Sequence, residues 1–318
     1  MQKRVIVTGG AGFIGSHLVK KLLDENFDVH VIDDLNNFYN PQIKENNIAD
    51  FAINKNFHFY HSDITHGKDI HGIFEHVKPE KVIHLAARAG VRPSLENPEL
   101  YAHVNILGTL NVLQAAKKAG VEQFIFGSSS SVYGNSPNVP FTEDDQCDNM
   151  ISPYAVTKRS AELLCKLFAE NEKIPMTCLR FFTVYGPRQR PDLAIHSFMK
   201  KITNDEEIPM FGDGTTARDY TYIDDIVEGV YAALQKPQAF EIINLGNSHP
   251  INLKDMIAEI EKAFSKTARI DQQSMQKGDV EKTFANIDKA KKLLDWEPRT
   301  SFSEGIQKMA QWYNETYG

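Results

Sequence analysis

Tyr154 and Lys158 stand four apart in Pro153-Tyr154-Ala155-Val156-Thr157-Lys158, at the start of a helical pattern that continues through Ala161, Leu164, Leu167 and Phe168. That spacing sets a phenol and an ammonium on one helical face. A free tyrosine titrates near about 10, too high for a base at neutral pH. A neighbouring ammonium and a cationic ring close by both favour the phenolate and lower that value. Such a pair suits the removal of a proton from a secondary alcohol while hydride leaves the same carbon. Alone, the pattern is commonplace on solvated helix faces. Its partner is Gly127-Ser128-Ser129-Ser130-Ser131-Val132-Tyr133-Gly134, which closes a β-type run about 25 residues upstream. A serine hydroxyl there can bridge an alcohol oxygen and the tyrosine.

A further group binds rather than reacts. Thr8-Gly9-Gly10-Ala11-Gly12-Phe13-Ile14-Gly15 follows a first β-type run and opens a helical one, with Gly9, Gly12 and Gly15 at regular intervals. Without Cβ atoms the turn is tight, the backbone can approach a pyrophosphate, and free N–H groups at the helix start point at it. A second run ends in Asp33, 21 residues after Gly12, where a carboxylate can hold ribose hydroxyls. A carboxylate there repels the extra phosphate of NADP and no arginine is adjacent in sequence, so NAD is the expected cofactor. Asp63-Ile64 ends a third run, where an adenine edge would lie. Leu85-Ala86-Ala87 ends a fourth, where small residues let a cofactor pass.

These residues must be brought together by the elements that carry them. Expected strands are Arg4–Thr8, Asp28–Asp33, Phe57–Asp63, Lys81–Ala86, Gln123–Ser128 and Met176–Phe182. They are apolar throughout rather than alternating, as where helices cover both faces of a parallel sheet. Helical spacing recurs between them, as at Phe13, Ile14, His17, Leu18, Leu22 and Leu23. Strand and helix in regular succession predict an α/β fold with a Rossmann-type doubly wound parallel sheet, whose ligands bind at the carboxyl ends of the strands. After Arg180 the rhythm loosens around Pro187, Pro191, Pro209 and Gly212–Gly214. Helical patterns return at Ile223–Leu234, Leu253–Phe264, Lys289–Leu294 and Ser303–Tyr313. Residues 1–180 are thus expected to form the NAD-binding domain, with 221–240 returning to it, and 181–318 a smaller mixed α/β substrate lobe.

Bulk composition narrows the function class. With 35 basic and 42 acidic residues the net charge is −7, which offers no electrostatic footprint for nucleic acid or an anionic membrane. The start lacks the pattern of a signal peptide, and no stretch approaches the ~20 apolar residues of a membrane span. The three cysteines, Cys147, Cys165 and Cys178, show no metal-ligand spacing. Buried free thiols in a reducing cytoplasm, and no bound metal, are expected.

Taken together, the glycine fingerprint, Asp33, the serine run ending in Val-Tyr-Gly, and Tyr154-x-x-x-Lys158 resemble the extended short-chain dehydrogenases that work on nucleotide sugars. The resemblance covers essentially the whole chain. Arg180-Phe181-Phe182-Thr183-Val184-Tyr185-Gly186-Pro187, Arg218-Asp219-Tyr220-Thr221-Tyr222-Ile223-Asp224-Asp225 and Gly278-Asp279-Val280 are similar to that family's substrate-lobe motifs. The resemblance implies that Ser129 and Tyr154 form a proton relay, with Lys158 holding the cofactor ribose and tuning Tyr154. It implies that Arg218 grips a UDP diphosphate and Asp279 the uridine ribose. Thr183, Arg190 and His196-Ser197-Phe198 would line the substrate cleft, and Arg88 and Asn105 would lie near the cofactor.

The residues beside the catalytic serine separate reactions on this scaffold. Dehydratases of the family carry Thr-Asp-Glu at this point and UDP-glucuronate decarboxylases Thr-Ser-Glu, whereas this chain has Ser129-Ser130-Ser131, without a carboxylate. What remains is oxidation at C4, rotation of a 4-keto sugar, and return of the hydride to the opposite face. The tract from Thr183 through Asp192, with Ala89–Arg92 and Ser94–Pro98, resembles the UDP-glucuronate 4-epimerases, and hydroxyls of Ser130, Ser131 and Thr183 can bind a C6 carboxylate. UDP-glucose and UDP-N-acetylglucosamine stay open as substrates, the latter because Thr283 aligns with a position that in the family admits an N-acetyl group. Two further readings are a simple sugar dehydrogenase and a non-catalytic NAD-binding protein; the intact Ser129, Tyr154 and Lys158 argue against the second. A homodimer is expected through helices near Asn97–Ala119 and Ser152–Asn171, as is typical of the family.

Overall fold

Each of the six expected β-type runs forms a strand in a computed structural model of the chain, which describes residues 3–274 and 282–318. These are β1 (Arg4–Thr8), β2 (Asp28–Asp33), β3 (Phe57–His61), β4 (Lys81–His84), β5 (Gln123–Ser129) and β6 (Met176–Phe181). The second half adds β7 (Thr183–Tyr185), β8 (Glu207–Phe211), β9 (Ala217–Tyr222), β10 (Phe240–Leu245), β11 (Pro250–Asn252), β12 (Arg269–Gln273) and β13 (Lys282–Thr283). One parallel sheet runs β10-β6-β5-β4-β1-β2-β3. The order reverses between β1 and β4, and the crevice at such a reversal is where an open α/β sheet binds ligands.

Both faces of this sheet are covered, which is why its strands read as unbroken apolar runs. Val5, Val7, Val29, Val31, Ile83 and Ile125 pack on one face. Ile6, Ile32, Val82, Phe124, Phe126 and Met176 pack on the other, beneath helices that include 67–77 and 109–119. The first face shares its core with the lobe, since Ile195, Met199, Ile208, Met256 and Ile306 belong to the same cluster. Three predicted strands run past their observed ends: β3 stops at His61 rather than Asp63, β4 at His84 rather than Ala86 and β6 at Phe181 rather than Phe182. Just past these ends the Ser62 N–H still donates to the Asp33 carbonyl and the Leu85 N–H to the Thr8 carbonyl, after which Asp63 and Ala86 turn into the crevice.

After β6 the chain leaves the sheet and then re-enters it. The helix Ile223–Gln235 packs on the helix Phe13–Asp24, and β10 pairs along β6 from Phe240↔Met176 to Leu245↔Phe181. The returning segment therefore extends five residues beyond 240. The lobe is built around β9, which pairs with β7 and β13 in parallel and with β11 antiparallel, while β8 pairs with β12. No helix among the described residues is long and apolar enough to cross a membrane.

Candidate active site

The glycine turn lies at the reversal, and each of its glycines answers a different demand. Gly9 has φ +72°, and a Cβ there would stand 2.7 Å from the backbone nitrogen of Ala86. At Gly15 a Cβ would overlap the carbonyl oxygen of Gly9 at 2.1 Å, so the helix can sit this close to the strand only without a side chain. Gly12 is different: a Cβ would touch only the Gly9 oxygen, at 3.3 Å, and would otherwise project into the cleft. Its missing side chain leaves room for a ligand, beside the N–H groups that open the helix Phe13–Asp24. Phe13, Ile14 and Gly15 complete this wall.

Asp33 is buried at the end of β2, and its carboxylate oxygens accept hydrogen bonds from the backbone N–H of Ala11 at 3.1 Å and of Leu35 at 3.0 Å. Burial pushes its pKa up, against those two bonds and the charge of Lys44. Folding brings positive charge near Asp33 from elsewhere in the chain, a lysine towards Asp33 itself and an arginine towards its neighbour Asp34. The Arg88 guanidinium donates to Asn36 Oδ1 at 2.7 Å and lies 4.0 Å from Asp34, and the buried Lys44 ammonium donates to the Asn36 carbonyl at 2.9 Å. Asp63 and Ile64 past β3, and Leu85, Ala86, Ala87 and Arg88 past β4, line the same cleft.

The reacting groups stand on the other side of the reversal. Ser129 ends β5 and caps the short turn Ser130–Tyr133, its Oγ accepting from the Ser131 N–H at 3.2 Å. Ser152 caps the helix Pro153–Glu172, its Oγ accepting from the Ala155 N–H at 3.2 Å, so Tyr154 and Lys158 occupy the first two turns. Ser129, Tyr154 and Lys158 all face the cleft. Burial raises the Tyr154 pKa, opposed by its hydrogen bond with Ser129 and then by the charge of Arg190. Lys158 donates to the carbonyl of Gly127 at 2.7 Å and lies 4.9 Å from the Phe126 ring centre; burial lowers its pKa to about 8, against the pull of Glu162. Burial is the larger influence on both groups and moves both towards neutrality.

Buried polar contacts hold these groups from behind. Asn105 lies in a single π-type turn, His103–Gly108, and does not form part of the cleft wall. Its Oδ1 accepts from the Arg88 N–H at 2.8 Å and its Nδ2 donates to the Arg88 carbonyl and to Thr157 Oγ1, both at 3.0 Å. It therefore ties the loop after β4 to the helix of Tyr154. Glu162, one turn beyond Lys158, takes a bidentate pair of 2.9 Å bonds from the fully buried Arg180 and a 2.6 Å bond from Ser128.

On the substrate side the wall is formed by Ser130, Ser131, Thr183 and Arg190. Arg190 is bidentate to Asp192, at 3.0 and 2.7 Å, with its guanidinium 5.0 Å from the Phe38 ring centre.

A family model described as GDP-mannose 4,6 dehydratase matches residues 6–309. A UDP-glucuronate 4-epimerase of Thermodesulfobacterium geofontis is 46% identical over 312 residues, spanning 98% of this chain and 96% of that one. The UDP-glucuronic acid 4-epimerase of Bacillus cereus, solved with UDP-glucuronic acid and NAD, superposes with a TM-score of 0.91 at 37% identity, covering 99% of this chain and 100% of that one. The UDP-glucose 4-epimerase of Thermotoga maritima, solved with UDP-glucose, gives 0.89 at 34% identity over 99% and 100%. The chain belongs to the extended short-chain dehydrogenase/reductase family of NAD-dependent epimerases and dehydratases.

Among the family's substrate-side positions, several lie outside the wall of this cleft. His196 is buried, its Nδ1 2.6 Å from the Gln189 carbonyl oxygen and its ring edge-on to Trp312 and Tyr313. Phe198 belongs to the core, and Ser197 is not in the wall. On the helix Ala194–Thr203, His196 packs against Trp312, Tyr313 and Tyr317 of the helix Phe302–Tyr317, while Phe198, on another face, joins the shared apolar core. Arg218 on β9 donates to the Ala217 carbonyl at 2.9 Å and also lies outside the wall. Asp279 lies outside the described residues. The reading from sequence did not name Asn36, Phe38, Tyr39 or Lys44, which all line the cleft. A signal existed: Asn40-Pro41 starts the helix that carries Lys44, with the Asn40 side chain accepting from the Gln42 N–H. It marks a second ordered element just past Asp33.

Proposed function

We propose that the chain is a UDP-sugar 4-epimerase that uses NAD and acts on UDP-glucuronate in preference to UDP-glucose or UDP-N-acetylglucosamine. The observation that carries this reading is the meeting of Ser129, Tyr154 and Lys158 in one cleft with the glycine turn and Asp33, beside hydroxyls and no carboxylate at Ser130 and Ser131. Elimination or decarboxylation would call for an acid at those positions.

The Gly12 gap and the Asp33 carboxylate fit a dinucleotide's pyrophosphate and ribose. NAD, held there, would supply a reversible hydride acceptor for C4. The chain's own residues manage protons and position. Ser129 hydrogen-bonds the C4 oxygen and Tyr154, so the proton leaving that oxygen passes to the phenolate and comes back on the return step. Lys158 holds the cofactor ribose, and its charge, with the positive ring, offsets the burial that keeps Tyr154 protonated. Ser130, Ser131 and Thr183 receive the C6 carboxylate, with Arg190 a cation in the same wall. Arg218 grips the diphosphate, which anchors the nucleotide while the sugar rotates. Orientation and exclusion of water carry most of the catalysis, since the hydride is only borrowed.

The exposed apolar residues Val156, Leu163 and Leu167, with Leu107 on the neighbouring helix, support the homodimer of the family. Leu163→Glu is expected to give a monomer by light scattering. Buried free thiols support a cytoplasmic enzyme.

The deciding experiment incubates the purified protein separately with UDP-glucuronate, UDP-glucose and UDP-N-acetylglucosamine and resolves the C4 epimers. UDP-galacturonate forming fastest, with no net consumption of added NAD, is the expected result. Stoichiometric NADH would make it a dehydrogenase, and no product from any sugar would remove the assignment.

A further inference from the structure

At the opposite end of the sheet from the cleft, three donors meet. Asp28 and His30 alternate on β2 and so point to one face, and His30 pairs in register with His58 of the edge strand β3. One ligand atom from each of the three lies within 4.8 Å of the others. His58 Nε2 is 2.9 Å from one carboxylate oxygen of Asp28, and His30 Nε2 is 3.4 Å from the other. The His30 side chain is only 9% exposed, and its Nε2 has no hydrogen-bond partner among the described residues. This nitrogen faces the Asp28 carboxylate at ion-pair distance without the geometry of a hydrogen bond, which leaves its lone-pair direction open to a ligand.

We propose that Asp28, His30 and His58 bind one divalent metal ion of the zinc, cobalt or nickel class. Two imidazoles and a carboxylate, with water in a fourth position, are the donor set of such borderline ions rather than of magnesium or calcium, which take oxygen ligands. His30 already has the outer contact that ligating histidines use. Its Nδ1 lies 3.2 Å from Tyr60 Oη, and an Nδ1–H donated to that oxygen leaves the Nε2 lone pair free for the ion. The two rings stack at 4.4 Å with 16° between their planes, and the Nε2 atoms lie 3.4 and 2.9 Å from the Asp28 carboxylate oxygens. Bonds of about 2.0–2.2 Å require the donors to draw closer. His58, 41% exposed on the edge strand, can tilt to do so, whereas His30 is held by packing. Arg4 is the cation that opposes the ion here, and its guanidinium is taken up by Glu80 at 3.2 Å.

The site touches neither cofactor nor substrate. Asp28 begins the strand that ends in Asp33, and five extended residues span roughly 16 Å. The ion's effect is to clasp the edge strand β3 to β2, and so to stabilise the fold by binding the native state alone.

The full-length protein, stripped with chelator, is titrated with Co2+ and with Zn2+. One equivalent of Co2+ is expected to give the visible absorption of a four-coordinate site, and Zn2+ to raise Tm. His58→Ala, on an exposed position that should leave the fold and the epimerase activity intact, is expected to weaken binding more than ~10-fold, and Tyr60→Phe to weaken it by about 10-fold. Binding of equal strength in His58→Ala and the parent, or no absorption band and no Tm rise with an excess of either ion, would overturn the proposal.

Discussion

The two sides of the cleft are built on different principles. The side with the glycine turn is set by backbone: glycines that admit no side chain, and strands that end at Asp33, His61 and His84, past which Asp63 and Ala86 enter the wall. The substrate side is set by side chains on elements whose facing depends on what packs behind them. Thr183 and Arg190 reach the wall, while His196, less than two helical turns beyond Arg190 in sequence, is drawn into an aromatic cluster with Trp312 and Tyr313. Backbone constraints are local in sequence and side-chain facing is not, so the two sides should respond differently to mutation.

The largest effect belongs where both sides meet. Tyr154→Phe removes the proton carrier but keeps the ring that packs against Tyr101, with centroids 6.2 Å apart. Turnover should fall about 10²–10⁴-fold, the usual worth of general acid–base catalysis, with bound NAD retained. Activity assays on protein whose cofactor content is checked by absorbance read both. Unchanged turnover would unseat the phenol from the mechanism.

The glycine turn offers a sharper contrast within one side. Gly15→Ala forces a Cβ against backbone at 2.1 Å, and it should lower stability by roughly 1–3 kcal/mol or more and lose the cofactor as a consequence. Gly12→Ala meets only one atom, at 3.3 Å, so it should fold with nearly the parent Tm and weaken NAD binding by roughly tenfold. Thermal melts with and without added NAD separate the two. If both variants lost stability equally, the open side of Gly12 would not be a ligand path.

This contrast also explains what could be read from sequence. The six strands of the first half were legible because burial on both faces leaves an unbroken apolar run, and the turn because only glycine fits it. The return of β10 to the sheet was not expected as a strand, since Phe240–Leu245 carries Glu241 and Asn244 and follows a helix of the other half. Lys44 and Arg88 were beyond reach for another reason. Their approach to Asp33 and Asp34 is created by folding, and no spacing in the chain encodes it.

A smaller effect tests the buried histidines of the cofactor side. Burial depresses His84 from 6.5 to about 3 and His17 from 6.5 to about 4. Between those values and 6.5 the unfolded chain binds protons that the native chain refuses. The stability they allow is therefore complete above about 6.5 and is lost as pH falls through that window. Tm measured from pH 7 down to 4 should fall, and less steeply in His17→Asn. An equal slope would mean that His17 is not the group that refuses the proton.

The smallest effect, and the one that probes the substrate side alone, is Thr183→Ala. Thr183 begins β7, held in register with Tyr220 of β9, and its position in the cleft wall is therefore fixed by the lobe's own sheet. Removing the hydroxyl leaves that backbone pairing in place, so stability and NAD binding should not change. What is lost is one hydrogen bond to a charged group, about 1.5–3 kcal/mol, which corresponds to a rise in KM for UDP-glucuronate of roughly tenfold or more. A neutral hydroxymethyl at C6 offers a weaker bond, so KM for UDP-glucose should rise by several-fold less. The ratio of kcat/KM for the two sugars is the measurement. A ratio that does not move would place the C6 carboxylate elsewhere in the cleft, with Arg190 the residue to test next, and the wall's specificity would then be electrostatic rather than a matter of hydroxyl placement.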